Sequence, residues 1–118
     1  MLFRSVVIVT KQSMFESLKT ALEKIGITGM TVTQVLGFGM QKGRKAFYRG
    51  VPVETTLLPK VKVEIVICKV PVLLMLETIK KALYTGNIGD GKIFIYDVEN
   101  VIKVRTGDEG YDALQDED

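Results

Sequence analysis

Apolar positions along this chain alternate between two periods. Arg4–Thr10 is a short β-branched run that reads as a buried strand. From Met14 the spacing lengthens: Met14, Leu18, Ala21, Leu22 and Ile25 recur at helical intervals until Gly26 stops the pattern. Ser13, with Glu16 three residues on, has the spacing of a capping box for that helix. Met30–Phe38 alternates as a second strand. Lys60–Cys68 alternates more sharply, with Val61, Val63, Ile65 and Ile67 on one face. Pro71 suits the first turn of a second helix, whose stripe is Val72, Leu76, Ile79 and Leu83. A strand over Lys92–Asp97 and a short extended piece, Val101–Arg105, complete the pattern.

The order βαββαβ predicts an α+β fold. Two right-handed βαβ halves give a four-stranded sheet with both helices on one face, a ferredoxin-like sandwich. Val7, Val9, Val66 and the strand after Lys92 are too apolar for open solvent, so burial of the second face by association is expected. Two segments carry no period. Between Phe38 and Lys60 lie 21 residues with three glycines and four bases, Lys42, Arg44, Lys45 and Arg49, against one acid, Glu54. A loop this long in a compact domain reads as one that orders on a ligand or partner. The other is Thr85–Lys92, where Gly86, Gly89 and Gly91 leave the backbone able to take φ > 0, so successive N–H groups can converge on one anion. It is not a P-loop, because Lys92 opens a strand rather than a helix. The alternative reading is a plain loop tip.

Composition narrows the chemistry. The 118 residues suit one domain, and 47% hydrophobic with 25% charged residues exclude disorder for its body. No apolar run approaches the roughly 20 residues that cross a bilayer, and Met1-Leu2-Phe3-Arg4 lacks a signal peptide's layout. The single cysteine, Cys68, reads as an inert core thiol in a reducing cytoplasm. With no histidine, Ser-His-Asp and Cys-His schemes are out of reach, and the chain leans away from catalysis. The formal net charge of +2 hides a division. Six of the 14 acids fall in Asp108–Asp118, which has no base, leaving 8 acids against 16 bases in residues 1–107. A basic body suits an anionic ligand. The acidic tail reads as a solvated end.

Six motifs in register resemble the PII nitrogen-regulatory signal proteins, without an insertion over about residues 4 to 107. They are Ile27-Thr28-Gly29-Met30-Thr31-Val32-Thr33, Gly37-Phe38-Gly39-Met40-Gln41-Lys42-Gly43, Tyr48-Arg49-Gly50, Leu58-Pro59-Lys60-Val61-Lys62, Thr85-Gly86 through Gly91-Lys92-Ile93-Phe94, and Val104-Arg105-Thr106-Gly107. The resemblance implies a PII-like domain over residues 1–107, with a T-loop at about 39–59 and a B-loop at about 84–92, ahead of an acidic tail at 108–118. It implies a homotrimer with sheets facing inward and a nucleotide in each cleft between neighbours. ATP and ADP compete there, 2-oxoglutarate binds together with Mg-ATP, and the T-loop docks on targets, foremost an ammonium transporter. Such a protein is cytoplasmic, recruited to the membrane's inner face only through its partner.

Carried onto this chain, the resemblance places Gly29 and Thr31 at the adenine, and Gly89, Asp90, Gly91 and Lys92 around the phosphates with Arg105. Glu64 lies near the pocket; Gly37, Gly39, Met40, Val66 and Lys103 complete the nucleotide set. Gln41 would offer its amide oxygen to Mg²⁺, a hard ion that takes its remaining ligands from phosphates and the oxo-acid. With Lys60, which would pair with a carboxylate, Gln41 also forms the 2-oxoglutarate set. Tyr48, Arg49 and Gly50 would meet the target, Arg49 as a plug in a transporter's mouth. Met40 and Lys103 stand where the family usually has arginines, so a bidentate clamp on phosphate is lost at position 40 and weaker discrimination of ATP over ADP is expected. Val53 and Val51 replace the family's uridylylated tyrosine and phosphorylated serine. Two alternatives share the fold. An acylphosphatase-type enzyme needs an arginine in its first loop, where Val9–Ser13 has none. An RNA-binding module needs sheet-face aromatics where the central strands carry Val and Ile.

Overall fold

The computed structural model describes residues 3–39, 47–48, 51–52 and 56–115. Strand β1 (Phe3–Lys11) leads through a 3-10 turn (Gln12–Met14) into helix α1 (Phe15–Lys24), then β2 (Thr31–Gly39). Two short strands, β3 (Phe47–Tyr48) and β4 (Val51–Pro52), pair antiparallel as a separate two-stranded ladder. Strand β5 (Thr56–Ile67), helix α2 (Val72–Leu83) and strand β6 (Lys92–Val98) follow. The sheet order is β2-β5-β1-β6, every neighbouring pair antiparallel. This is the ferredoxin-like α+β sandwich that the βαββαβ pattern predicts.

Register assigns each face. Val6 lies opposite Ile65 and Ile95, and Ile8 opposite Val63 and Ile93. Opposed residues of an antiparallel pair share a side, so these point at the helices. There Val6, Ile8, Val63 and Ile65 pack with Leu18 and Leu22 of α1 and Met75, Ile79 and Leu83 of α2 in one core, with Ile93 half-buried against it and Ile95 exposed on the edge strand. The expected stripe of α2 changes at one position. Ile79 and Leu83 are buried and Val72 packs against the core as expected, but Met75 rather than Leu76 is fully buried, because 75, 79 and 83 step by fours along one face. Ser13 does not cap α1. It lies inside the 3-10 turn, which runs directly into the helix, and Met14 at the N-cap position makes no side-chain cap bond.

Three further expectations change. The helix side of the sheet outruns its helices: Leu36, Phe38 and Leu57, at the far ends of β2 and β5, are exposed in the single chain. β5 begins at Thr56, four residues before the expected strand, since cross-strand pairing with β2 continues from Lys60 through Leu57 to Thr56 despite Pro59. The chain end is not a bare solvated tail. Gly110–Leu114 forms a second 3-10 turn, and Tyr111, Ala113, Leu114 and Gln115 are half-buried. On the other sheet face Val7 is already buried, whereas Phe94 and Tyr96 remain exposed.

Candidate functional site

The site is built around the glycine loop that joins α2 to β6. Asp90 organises it. Its carboxylate accepts the Thr85 N–H at 2.7 Å, the Gly86 N–H at 2.9 Å and the Thr85 hydroxyl. These bonds, the Thr85 hydroxyl foremost, hold the Asp90 carboxyl below its usual value of 3.8. The loop is also tied to the interior: the fully buried Thr10 donates its hydroxyl to the Asp90 carbonyl at 2.9 Å. Gly89 and Gly91 take φ of +98° and +113°. At Gly91 the constraint is also contact, since a Cβ there would lie 2.3 Å from the Val9 carbonyl oxygen. Only glycine lets the loop lie this close against β1.

Two ammonium groups converge on this loop. A Cβ on Gly89 would lie 3.6 Å from Lys60 Nζ, 3.7 Å from Lys11 Nζ and 2.8 Å from Lys11 Cε. The register explains the convergence: Lys11, at the end of β1, is directly opposed to Lys60, the fifth residue of β5, on the face away from the helices. Gly37 clears the way for Lys60, whose Cγ would be 2.9 Å from a Cβ at that position. The lysine stem therefore lies flat across β2 and delivers its charge to the loop. Two like charges beside a glycine backbone, with loop N–H groups already shaped by Asp90, form a place for an anion of more than one charge. The sequence reading placed Lys60 here and missed Lys11. Its signal was topological: β6 pairs with β1, so the residue ending β1 must sit beside the loop that starts β6.

The other expected nucleotide residues are elsewhere. Thr31 and Glu64 face each other across β2 and β5 on the same outer face, where Lys62 Nζ lies 3.5 Å from the Glu64 carboxylate. Val66 is further along β5, opposite Ser5, and Gly29 precedes Thr31. Lys103 and Arg105 follow β6 past Val98, the end remote from Lys92. Thr31 is six strand residues from Gly37, and Val66 six from Lys60, which is about 20 Å of sheet at roughly 3.3 Å per residue. The chain thus carries two separate groups: Gly37, Lys60, Lys11 and Gly89–Lys92 at one end, and Gly29, Thr31, Glu64, Val66, Lys103 and Arg105 towards the other. Met40, Gln41, Arg49 and Gly50 lie outside the described residues, as do Lys42, Arg44, Lys45, Val53 and Thr55. For Gly39, Tyr48 and Val51 only the backbone strand is described.

Comparison with known proteins places the chain in a family. The family model for "Nitrogen regulatory protein P-II" matches residues 3–108. A nitrogen regulatory PII-like protein of Bacillus subtilis is 50% identical over 109 residues, covering 92% of this chain and 94% of that protein. The solved structure of B. subtilis GlnK superposes with a TM-score of 0.80 at 47% identity, covering 96% of this chain and 99% of that one. A structure of the B. subtilis GlnK–ATP complex superposes with a TM-score of 0.79 at 44% identity, covering 95% of each. Proteins of this kind are regulators rather than enzymes, which sets aside the acylphosphatase alternative. This chain belongs to the PII nitrogen regulatory protein family.

Proposed function

We propose that this PII protein reports the adenine-nucleotide and 2-oxoglutarate state of the cell by changing what its 39–59 loop can dock onto. The observation that carries the proposal is the convergence of Lys11 and Lys60 on Gly89. The B-loop backbone takes the phosphates, Lys92 and the two ammonium groups neutralise them, and Lys60 pairs with a carboxylate of 2-oxoglutarate. Gln41 supplies an amide oxygen to the Mg²⁺ that travels with the nucleotide. Gly89, at φ +98° beside both ammonium groups, suits a backbone cradle for phosphate, and a GlnK relative has been solved with ATP.

The complete site is a joint one in this reading. Side-by-side chains would set the B-loop end of one against the Thr31, Val66 and Arg105 end of the next, which suits a closed homotrimer with a nucleotide in each cleft. The exposed Leu36, Phe38 and Leu57, with Phe94 and Tyr96 on the other face, supply apolar surface for such packing. Mg-ATP with 2-oxoglutarate draws the loop bearing Gln41 into the ligand shell, whereas ADP leaves it free for a target. An ammonium transporter is the foremost candidate, met by Tyr48, Arg49 and Gly50. By linkage, the target must itself favour the ADP form. The protein works in the cytoplasm and reaches the membrane through that partner; no described helix is long and apolar enough to cross it.

Calorimetric titration with ATP, ADP and 2-oxoglutarate, with and without Mg²⁺, tests the proposal. ATP and ADP are expected to compete, and 2-oxoglutarate to bind only with Mg-ATP. A trimer indifferent to both nucleotides overturns the reading. Arg49→Ala is expected to abolish co-sedimentation with transporter-containing membranes, and unchanged sedimentation removes that residue's role.

A further inference from the structure

Beyond β6 the chain doubles back. Gly110 N–H donates to the Val101 carbonyl at 2.9 Å, Ile102 pairs with Glu109, and Lys103 N–H donates to the Asp108 carbonyl at 2.8 Å. Gly107, at φ +77°, closes the turn by donating to the Lys103 carbonyl at 2.7 Å. This narrow hairpin returns the 3-10 turn Gly110–Leu114 to the body, where a Cβ on Gly110 would meet the Phe3 ring at 3.6 Å. The Tyr111 ring lies 3.9 Å from the Lys69 ammonium, a cation–π contact that pins the turn. Gln115 Nε2 donates to the Tyr111 carbonyl at 3.2 Å, which turns the Gln115 backbone inward. There its carbonyl accepts from Lys103 Nζ at 2.8 Å.

Lys103 is therefore engaged by the tail, although it is also one of the cations assigned to the nucleotide. An ammonium hydrogen bond held by a carbonyl must be given up before a phosphate oxygen takes it. Asp108, Glu109 and Asp112, the acids described in this hairpin and turn, add negative charge to the segment that holds Lys103.

We propose that the segment Gly110–Gln115 is a built-in competitor for Lys103: tail and nucleotide phosphate hold this ammonium in turn. Tail docking weakens nucleotide binding, and nucleotide binding releases the tail by the same factor. The inference rests on the nucleotide site proposed above and adds a means of regulating it.

Calorimetry with Mg-ATP on the full-length chain tests it with two variants on either side of the docking contact, neither in the nucleotide set. Tyr111→Ser removes the ring, and Lys69→Met keeps the stem while removing the cation. Each is expected to bind ATP about 3- to 10-fold more tightly, the size of one ordinary net hydrogen bond. The gain should vanish on a Lys103→Gln background. In parallel, hydrogen exchange in the 110–115 peptide of the wild type should quicken when ATP is added. Unchanged or weaker ATP binding in both variants overturns the competition, as does exchange that slows on ATP addition. If the wild type and both variants give flat isotherms, the nucleotide reading falls and this inference with it.

Discussion

Gly89 and Gly91 share a left-handed backbone, yet they should respond differently to alanine. At Gly91 the new methyl meets a backbone carbonyl of β1 that has nowhere to go. At Gly89 it meets the far end of the Lys11 side chain, which can swing away. Gly89→Ala should cost about 1–2 kcal/mol, the ordinary penalty for an L-residue at φ > 0. Gly91→Ala should lose upwards of about 3 kcal/mol, because the clash adds to that penalty. Urea unfolding of both variants checks the order. Gly89→Ala, though folded, should bind ATP more weakly than wild type, since displacing Lys11 disperses the charge. Asp90 supplies a pH test. Its folded carboxyl titrates below 3.8, so its contribution to loop order is complete above that value and disappears as pH falls through the depressed one. The amide resonances of Thr85 and Gly86 should follow that single titration on the acid side, and in Asp90→Asn they should not. Met40→Arg, which restores the family's usual side chain, should raise the preference for ATP over ADP; an unchanged ratio by calorimetry would remove Met40 from that discrimination.

At the scale of elements, hydrophobic period was enough to place every strand of the main sheet and both helices. The strand pattern was robust because Val61, Val63, Ile65 and Ile67 occupy every second position and all are buried, with Val66 the one apolar residue between them. The α2 stripe was less so. Val72-Leu73-Leu74-Met75-Leu76 is apolar on every side, so period alone does not say which side faces inward, and packing chose Met75. Met75→Ala should accordingly cost about 2–5 kcal/mol in chemical denaturation, as for other fully buried large-to-small changes. Leu73→Ala, on the exposed side, should stay within about 0.5 kcal/mol. The positive-φ glycines of the 85–92 loop were legible from composition. What sequence could not show was how the loop is held: Asp90 tied to Thr85 five residues back, and Thr10 reaching it from eighty residues away. Those links follow from topology, as does the place of Lys11. The acidic end was misread for a related reason, because its docking depends on Lys69 and Lys103, which no local pattern connects to Tyr111 or Gln115.

For the whole molecule, the resemblance assigned residues to one ligand, and the structure keeps them towards opposite ends of the sheet of a single chain. The joint-site reading makes a specific prediction about mixtures. Gly89→Ala with Lys60→Ala should disable one group, and Thr31→Ala with Arg105→Ala the other, so each variant alone should show little ATP binding. Denatured together and refolded, they should regain some sites of wild-type affinity, because mixed neighbours juxtapose two intact groups. Recovery should track the fraction of mixed assemblies measured by native mass spectrometry, and a mixture as inert as its parents would argue that each chain builds its own site.

The two-ended layout also ties perception to abundance. If a cleft exists only where neighbours touch, then a solitary copy is deaf to every metabolite, however well folded it is. Dilution below the concentration at which copies meet would erase the response altogether rather than weaken it in proportion. The level of expression would then be an input to the signal in its own right.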